Sequence, residues 1–303
     1  MQKIIPHLWF DKQAKAAADF YVSVFPNAKI LSSSVIHNTP SGDTEMVSFA
    51  IENYNFMAIS AGPVFKLNPA ISFMVNFDPA KNQNAGADLD TLWNKLAEGG
   101  QILMPLGEYP FSKRYGWLND RFGVSWQLIL TRPEGQERPA IIPSLLFTQE
   151  VSGKAEEATD FYISVFSGSG ENSKRGALIK YGAENPGEKE GTVNFTDFSL
   201  AGQWFAAMDS AREHKFKFNE AVSLIVNCKD QAEIDYFWEK LSAVPQAEQC
   251  GWLKDKYGLS WQIVPKDMAK YMQGAPEQTE RVTRAFLQMK KFDLAKLKAA
   301  YEG

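Results

Sequence analysis

The chain has 303 residues, 45% of them hydrophobic and 22% charged, with a formal net charge of −4. This is the composition of a globular protein with packed cores, and the length suits two domains. The mild acidity gives no electrostatic basis for gripping nucleic acid or an anionic membrane, and no apolar run reaches the length that spans a bilayer.

Residues 4–10, IIPHLWF, are short, β-favouring and alternating, and read as a strand. Residues 14–25, AKAAADFYVSVF, place Ala17, Phe20, Tyr21, Val24 and Phe25 on one helical stripe. Three strand-like runs follow, AKILSSSVI, EMVSFAIE and YNFMAIS, with TPSGD as the turn between the first two. The β-α-β-β-β order then starts again. AISFMVNF reads as a strand, and ADLDTLWNKLAEGG as a helix stopped by a glycine pair. QILMPLGEY, RYGWLNDRFG and VSWQLIL supply three more strands. Residues 133–140 form a polar linker within TRPEGQERPA, whose two prolines suit a connection between domains.

Beyond the linker the chain repeats itself. IIPHLWF returns as IIPSLLF, ADFYVSVF as TDFYISVF, ISFMVN as VSLIVN, and YGWLNDRFGVSWQLI as CGWLKDKYGLSWQIV. The spacing between matched residues differs from segment to segment, 135 for Trp126 and Trp261 but 141 for Phe20 and Phe161, so loops changed length while elements stayed. The expected organisation is α+β. Four βαβββ modules form two tandem domains, 1–132 and 141–268, followed by a helical tail, 269–303. In the tail, Pro276 opens a helix with Val282, Ala285, Phe286 and Met289 on one stripe, and Asp293 caps a second short helix.

Period-two alternation assigns the faces of each sheet. Ile5, His7 and Trp9 share one face of the first strand. In the strand at 71–76, Ile71, Phe73 and Val75 lie under a helix, and Ser72, Met74 and Asn76 face away. Trp126 and Leu128 lie under the helix, with Gln127 opposite. In YNFMAIS, Met57 and Ile59 point under the helix, with Ala58 and Ser60 opposite. One mixed face therefore gathers His7, Trp9, Ser60, Ser72, Met74, Trp117 and Gln127 from the first copy. Its counterpart gathers Ser144, Asp209, Ser223 and Gln262 from the second. A curved sheet lined by a few polar groups among apolar ones is what a small-molecule pocket requires. The same residues can also satisfy one another or face solvent.

Taken together, the paired βαβββ units, HLWF, FYVSVFPNAKI and YGWLNDRFGVSWQL resemble the vicinal oxygen chelate superfamily, which includes glyoxalase I, extradiol dioxygenases and bleomycin-resistance proteins. Within it, the chain is most similar to PhnB-like proteins, also called 3-demethylubiquinone-9 3-methyltransferase domains. The resemblance covers residues 1–132 and 138–268. In metal-dependent members, His or Gln plus two Glu from the first and last strands of each unit hold the ion. The matching positions here are His7, Ser60 or Ala58, Ser72 and Gln127, then Ser144, Asp209, Ser223 and Gln262. Each set has a single good ligand, His7 or Asp209, so the resemblance implies no tightly held metal, with His7 and Gln127 as weak candidates for a divalent cation. No glycine-rich strand-turn-helix for a nucleotide-like cofactor accompanies the methyltransferase label.

Cys228 and Cys250 make neither a disulfide framework nor a metal-binding spacing, and the first residues carry no long apolar core. The expectation is a cytoplasmic protein with two reduced thiols. Three functions fit. The chain binds a small hydrophobic or aromatic molecule without metal, in pockets rich in aromatics such as Trp9, Phe65, Phe111 and Trp117. Alternatively it is a metal-dependent lyase, isomerase or dioxygenase-type enzyme, or a non-catalytic structural or interaction protein whose cups are filled by its own side chains. The missing carboxylates favour the first. A small-molecule ligand is the expected partner, for a monomer or a homodimer.

Overall fold

Alternating apolar residues build the first strand, β1 (Ile4–Phe10), and an alanine-rich segment builds the first helix, α1 (Ala14–Val24), with Ala14, Ala17, Ala18 and Tyr21 buried. The computed structural model describes residues 2–39, 41–132 and 137–303. Residues 133–136 of the expected linker, and Pro40 in the expected turn, lie outside the described residues. The first module continues with β2 (Lys29–Thr39), β3 (Gly42–Ile51) and β4 (Tyr54–Ser60). The second is β5 (Ile71–Phe77), α2 (Ala85–Ala97), β6 (Gln101–Tyr109), β7 (Ser112–Asn119) and β8 (Ser125–Leu130). The third is β9 (Ile141–Phe147), α3 (Ala155–Gly168), β10 (Lys174–Lys180), β11 (Val193–Leu200) and β12 (Gln203–Asp209). The fourth holds β13 (Val222–Cys228), α4 (Gln231–Leu241), β14 (Trp252–Lys254) and β15 (Ser260–Pro265). The tail forms α5 (Met268–Tyr271), α6 (Pro276–Leu287) and α7 (Leu294–Glu302), with the Asp293 side chain capping α7 as expected.

The fourth module is one strand short. A single 3₁₀ turn, Pro245–Ala247, stands where the other modules begin their hairpin. The tail takes up that edge. Met289 and Lys290 accept hydrogen bonds from the amides of Cys250 and Gly251, both at 2.7 Å. Gly251 has φ +85°, and a Cβ there would stand about 2.5 Å from the ring of Phe292, so the tail docks only on a glycine.

The two sheets do not follow the sequence repeats. One runs β14-β15-β13-β1-β4-β3-β2, and the other β10-β11-β12-β9-β5-β8-β7-β6. Each sheet therefore joins the first module of one repeat to the second module of the other. The joints are antiparallel: β1 pairs β13 with His7 opposite Ser223, and β5 pairs β9 with Ser72 opposite Ser144. Loop contacts across the joint are nearly symmetric. Asn68 Nδ2 donates to the Lys217 carbonyl, and Asn219 Nδ2 to the Lys66 carbonyl.

The hydrophobic cores, in contrast, stay within repeats. Tyr21 and Phe25 of α1 pack on Trp126 of β8, and Phe56 of β4 packs on Phe73 of β5. Tyr162 and Phe166 of α3 meet Trp261 of β15 in the same way. Both tryptophans are fully buried. The helix-covered faces are thus filled mainly from within each repeat, with Lys3 reaching across to Glu233 and Phe237 of α4, while the opposite faces are completed only by both repeats together.

Candidate functional site

On the seven-stranded sheet, registered neighbours place His7, Ser223, Met57, Ile225, Gln262 and Trp252 on the face turned away from the helices. Gln262 Nε2 donates to Ser223 Oγ at 2.9 Å. The imidazole of His7 meets the Trp252 indole edge-on, with ring centroids 5.5 Å apart. Trp9 continues the cluster, 6.2 Å from Trp252 and 5.0 Å from Phe65, with its Nε1 donating to the Gly62 carbonyl. His7 is 3% exposed, and its Nδ1 is buried without a hydrogen-bond partner. Burial holds its pKa down at about 3, so the ring is neutral at physiological pH.

The eight-stranded sheet repeats this plan with other residues. Ser144 stands where His7 stands, opposite Ser72, and Met74 and Gln127 are registered beside them. Gln127 Nε2 donates to Ser72 Oγ at 2.8 Å, and the Tyr115 hydroxyl donates to Gln127 Oε1 at 2.6 Å. Trp117 Nε1 donates to Ser125 Oγ at 2.8 Å. Ser144 Oγ is buried and unpaired, like His7 Nδ1 at the equivalent position.

Three expectations require correction. The residues assigned to one mixed face per repeat divide between two composite faces. His7 and Trp9 sit with Ser223 and Gln262, whereas Ser72, Met74, Trp117 and Gln127 sit with Ser144. His7 and Gln127 therefore lie on different sheets and cannot share an ion. Second, Ser60 lies on the helix side, where its Oγ accepts the Ala14 amide at the start of α1. In β4 it is Phe56 and Ala58 that are fully buried toward the helix, while Met57 is registered beside His7. Third, Asp209 is likewise on the helix side. Its carboxylate accepts the amides of Gly153, Ala155 and Val193 at 2.7, 3.1 and 2.9 Å, anchoring the entry to α3. Burial raises its pKa against those three donors. Phe111, expected in a pocket, is 49% exposed and stacks on Tyr109 at a hairpin end.

Among the face residues that sequence reasoning did not place there, two left a readable signal. Trp252 is the repeat partner of Trp117, 135 residues on, and that spacing alone identifies it. Tyr115 follows from period two, one position pair before Trp117.

The recurring motif has mainly a structural explanation. Asp120 accepts Tyr21 Oη, Trp126 Nε1 and the amides of Phe122 and Val124. Asp255 accepts Tyr162 Oη, Trp261 Nε1 and the amides of Tyr257 and Leu259. Each buried carboxylate ties the first helix of its repeat to the last strand. The tryptophan before the motif's Asp and the glutamine at its end turn to the composite faces instead, joined in the first copy by Tyr115 at the motif's start.

The sequence matches the family described as 3-demethylubiquinone-9 3-methyltransferase over residues 2–129 and again over 139–264. The chain belongs to this PhnB-like family, in two copies. Its first repeat-length match among solved structures is the PhnB protein of Bacillus cereus, 41% identical, covering 43% of this chain and 100% of that one, with TM-score 0.38. A protein from Staphylococcus aureus is 28% identical over 44% of this chain and 98% of its own, with TM-score 0.18. Glyoxalase I from Zea mays aligns with 88% of this chain and 92% of its own, 12% identical, with TM-score 0.51, a likeness of fold. Among curated proteins none matches. The vicinal oxygen chelate fold of this PhnB-like chain thus rests on its own topology and on that shared architecture.

A catalytic divalent ion, which the resemblance raised as a weak alternative, does not fit the donors on either face. The first offers one imidazole, one amide and serine hydroxyls, and the second an amide, hydroxyls and a single carboxylate, Asp197, in register with Ala206 and Ser144. Among the described residues no three His, Cys, Asp or Glu side chains converge. The one carboxylate in register on these faces, Asp197, is held by Arg138 and the Ala177 amide, so no converging set of charged donors offsets a dication's charge.

Proposed function

We propose that this PhnB-like protein binds a small hydrophobic or aromatic molecule on its composite concave faces, without a tightly held catalytic metal. The observation that supports this reading is the pair of buried, unpaired polar atoms, His7 Nδ1 and Ser144 Oγ, at equivalent points of two otherwise largely apolar faces. An unmade hydrogen bond in such a place costs about 1–3 kcal/mol, which an occupant with one complementary polar group recovers. On this reading the ligand-binding residues are His7, Trp9, Ser223, Gln262 and Trp252 on one face, and Ser72, Met74, Trp117, Gln127 and Ser144 on the other. The same reading makes the protein cytoplasmic, a monomer or a homodimer, and a partner of small molecules rather than nucleic acid. No helix among the described residues is long and apolar enough to cross a membrane.

Elemental analysis of the purified protein, paired with a thermal-shift panel of hydrophobic metabolites, tests the proposal. It predicts substoichiometric metal, no change in Tm on chelation, and a Tm rise of a few degrees with at least one aromatic compound. Near-stoichiometric zinc, nickel or iron, lost on chelation together with Tm, overturns it in favour of a metal-dependent enzyme.

A further inference from the structure

The two repeats offer an internal comparison at one pair of residues. Trp117 and Trp252 occupy equivalent positions, registered beside Gln127 and Gln262, and each has a serine diagonally across, Ser125 or Ser260. Trp117 lies down on its strand and donates Nε1 to Ser125 Oγ. Trp252 does not. It packs edge-on against His7 and Trp9, and Ser260 Oγ is left buried with no partner. Two buried polar atoms without partners are thus within one strand pair of this indole: His7 Nδ1, whose ring meets it edge-on, and Ser260 Oγ, diagonally across the β14–β15 pair. Moving that indole onto Ser260 would satisfy one of them and uncover the other.

We infer that the space filled by the Trp252 indole is the ligand slot of the seven-stranded face, that it takes a flat aromatic molecule bearing a hydroxyl or N–H group toward His7 Nδ1, and that Trp252 yields by turning onto Ser260. This rests on the reading of the faces as small-molecule sites and specifies one of them. The ligand replaces one aromatic edge contact with another of similar size, so the apolar walls formed by Trp9, Phe65 and Met57 remain covered. In the tautomer protonated at Nε2, Nδ1 of the neutral imidazole accepts from the ligand's hydroxyl or N–H group. The Trp252 Nε1–Ser260 Oγ hydrogen bond forms only in the occupied state and contributes to affinity there.

The full-length chain tests this in two steps. Without ligand, Ser125→Ala removes a made hydrogen bond and lowers Tm by about 2 °C, whereas Ser260→Ala removes an unpaired hydroxyl and leaves Tm unchanged or higher. Equal losses in the two variants overturn the inference, because Trp252 would then already rest on Ser260. With 2-naphthol as probe, the Trp252 Nε1 proton signal of ¹⁵N-labelled protein moves downfield while that of Trp117 stays. Ser260→Ala weakens naphthol binding about threefold or more, and His7→Phe about tenfold. If naphthol shifts only Trp117 and its neighbours, the slot is wrong and the broader reading stands. If it perturbs neither concave face, both fail.

Discussion

Replacing Asp255 by alanine lowers the stability of the folded chain by about 4 kcal/mol, and Asp120→Ala does nearly the same. The carboxylate of Asp255 is 1% exposed and receives four hydrogen bonds, from Tyr162 Oη and Trp261 Nε1 at 2.8 and 2.9 Å, and from the Tyr257 and Leu259 amides at 2.8 and 3.1 Å. Alanine leaves all four donors facing an apolar interior. Each orphaned buried donor costs on the order of 1–3 kcal/mol, and water entering the gap relieves part of the total. Asparagine keeps one acceptor and brings an N–H₂ toward donors, so Asp255→Asn is expected to fall between. Urea unfolding of the three variants, read by tryptophan fluorescence, checks this. A loss below about 1 kcal/mol for Asp255→Ala would mean that the carboxylate does not tie helix to strand.

Between pH 6 and pH 3 the wild-type chain loses stability relative to His7→Phe by about 1.4 kcal/mol per pH unit. Burial lowers the His7 pKa from 6.5 to about 3, so over this interval the unfolded chain takes up a proton that the folded chain refuses. The sign follows directly. Stability from this group is present above the unfolded pKa and drains away as pH falls. Its registered neighbours on β13 and β4 are Ser223 and Met57, and Trp252 of β14 packs against the ring, so no charge facing it offsets the burial. Asp255 works in the opposite direction. Burial raises its carboxyl to about 6, and the stability linked to that proton is lost as pH rises from about 4 to 6. Subtracting the His7→Phe curve removes this second contribution, since both proteins carry Asp255. Parallel stability curves for the two proteins would show that the imidazole is hydrated or paired.

How much of this was legible in the sequence depended on local contrast. In β1, β5 and β8, large apolar residues alternate with polar ones, so the faces of His7, Ser72 and Gln127 follow from period two alone. In β4 the run Phe56-Met57-Ala58-Ile59 is apolar throughout, and alternation cannot say which pair is buried. The helix cap at Ser60 and the anchor at Asp209 decide it, and Ser and Asp at equivalent positions before a helix contact were the available signal. Strand pairing was less legible still. Each repeat presents β1 and β5 as strands with equal hydrogen-bonding capacity, and nothing local distinguishes pairing within a repeat from pairing across repeats. The spacing that identified the repeats thus revealed the modules and their cores, while the composite faces emerge only from the register of β1 with β13 and β5 with β9.

The most direct test is amide and methyl NMR mapping of the strongest stabiliser from the thermal-shift panel on the full-length chain. The account predicts that shifts appear together in both repeats, at His7 and Trp9 with Ser223 and Gln262, or at Ser72 and Gln127 with Ser144. Shifts confined to one repeat, or to the surface cavity of about 630 Å³ between residues 35–37 of β2 and α6, would contradict it.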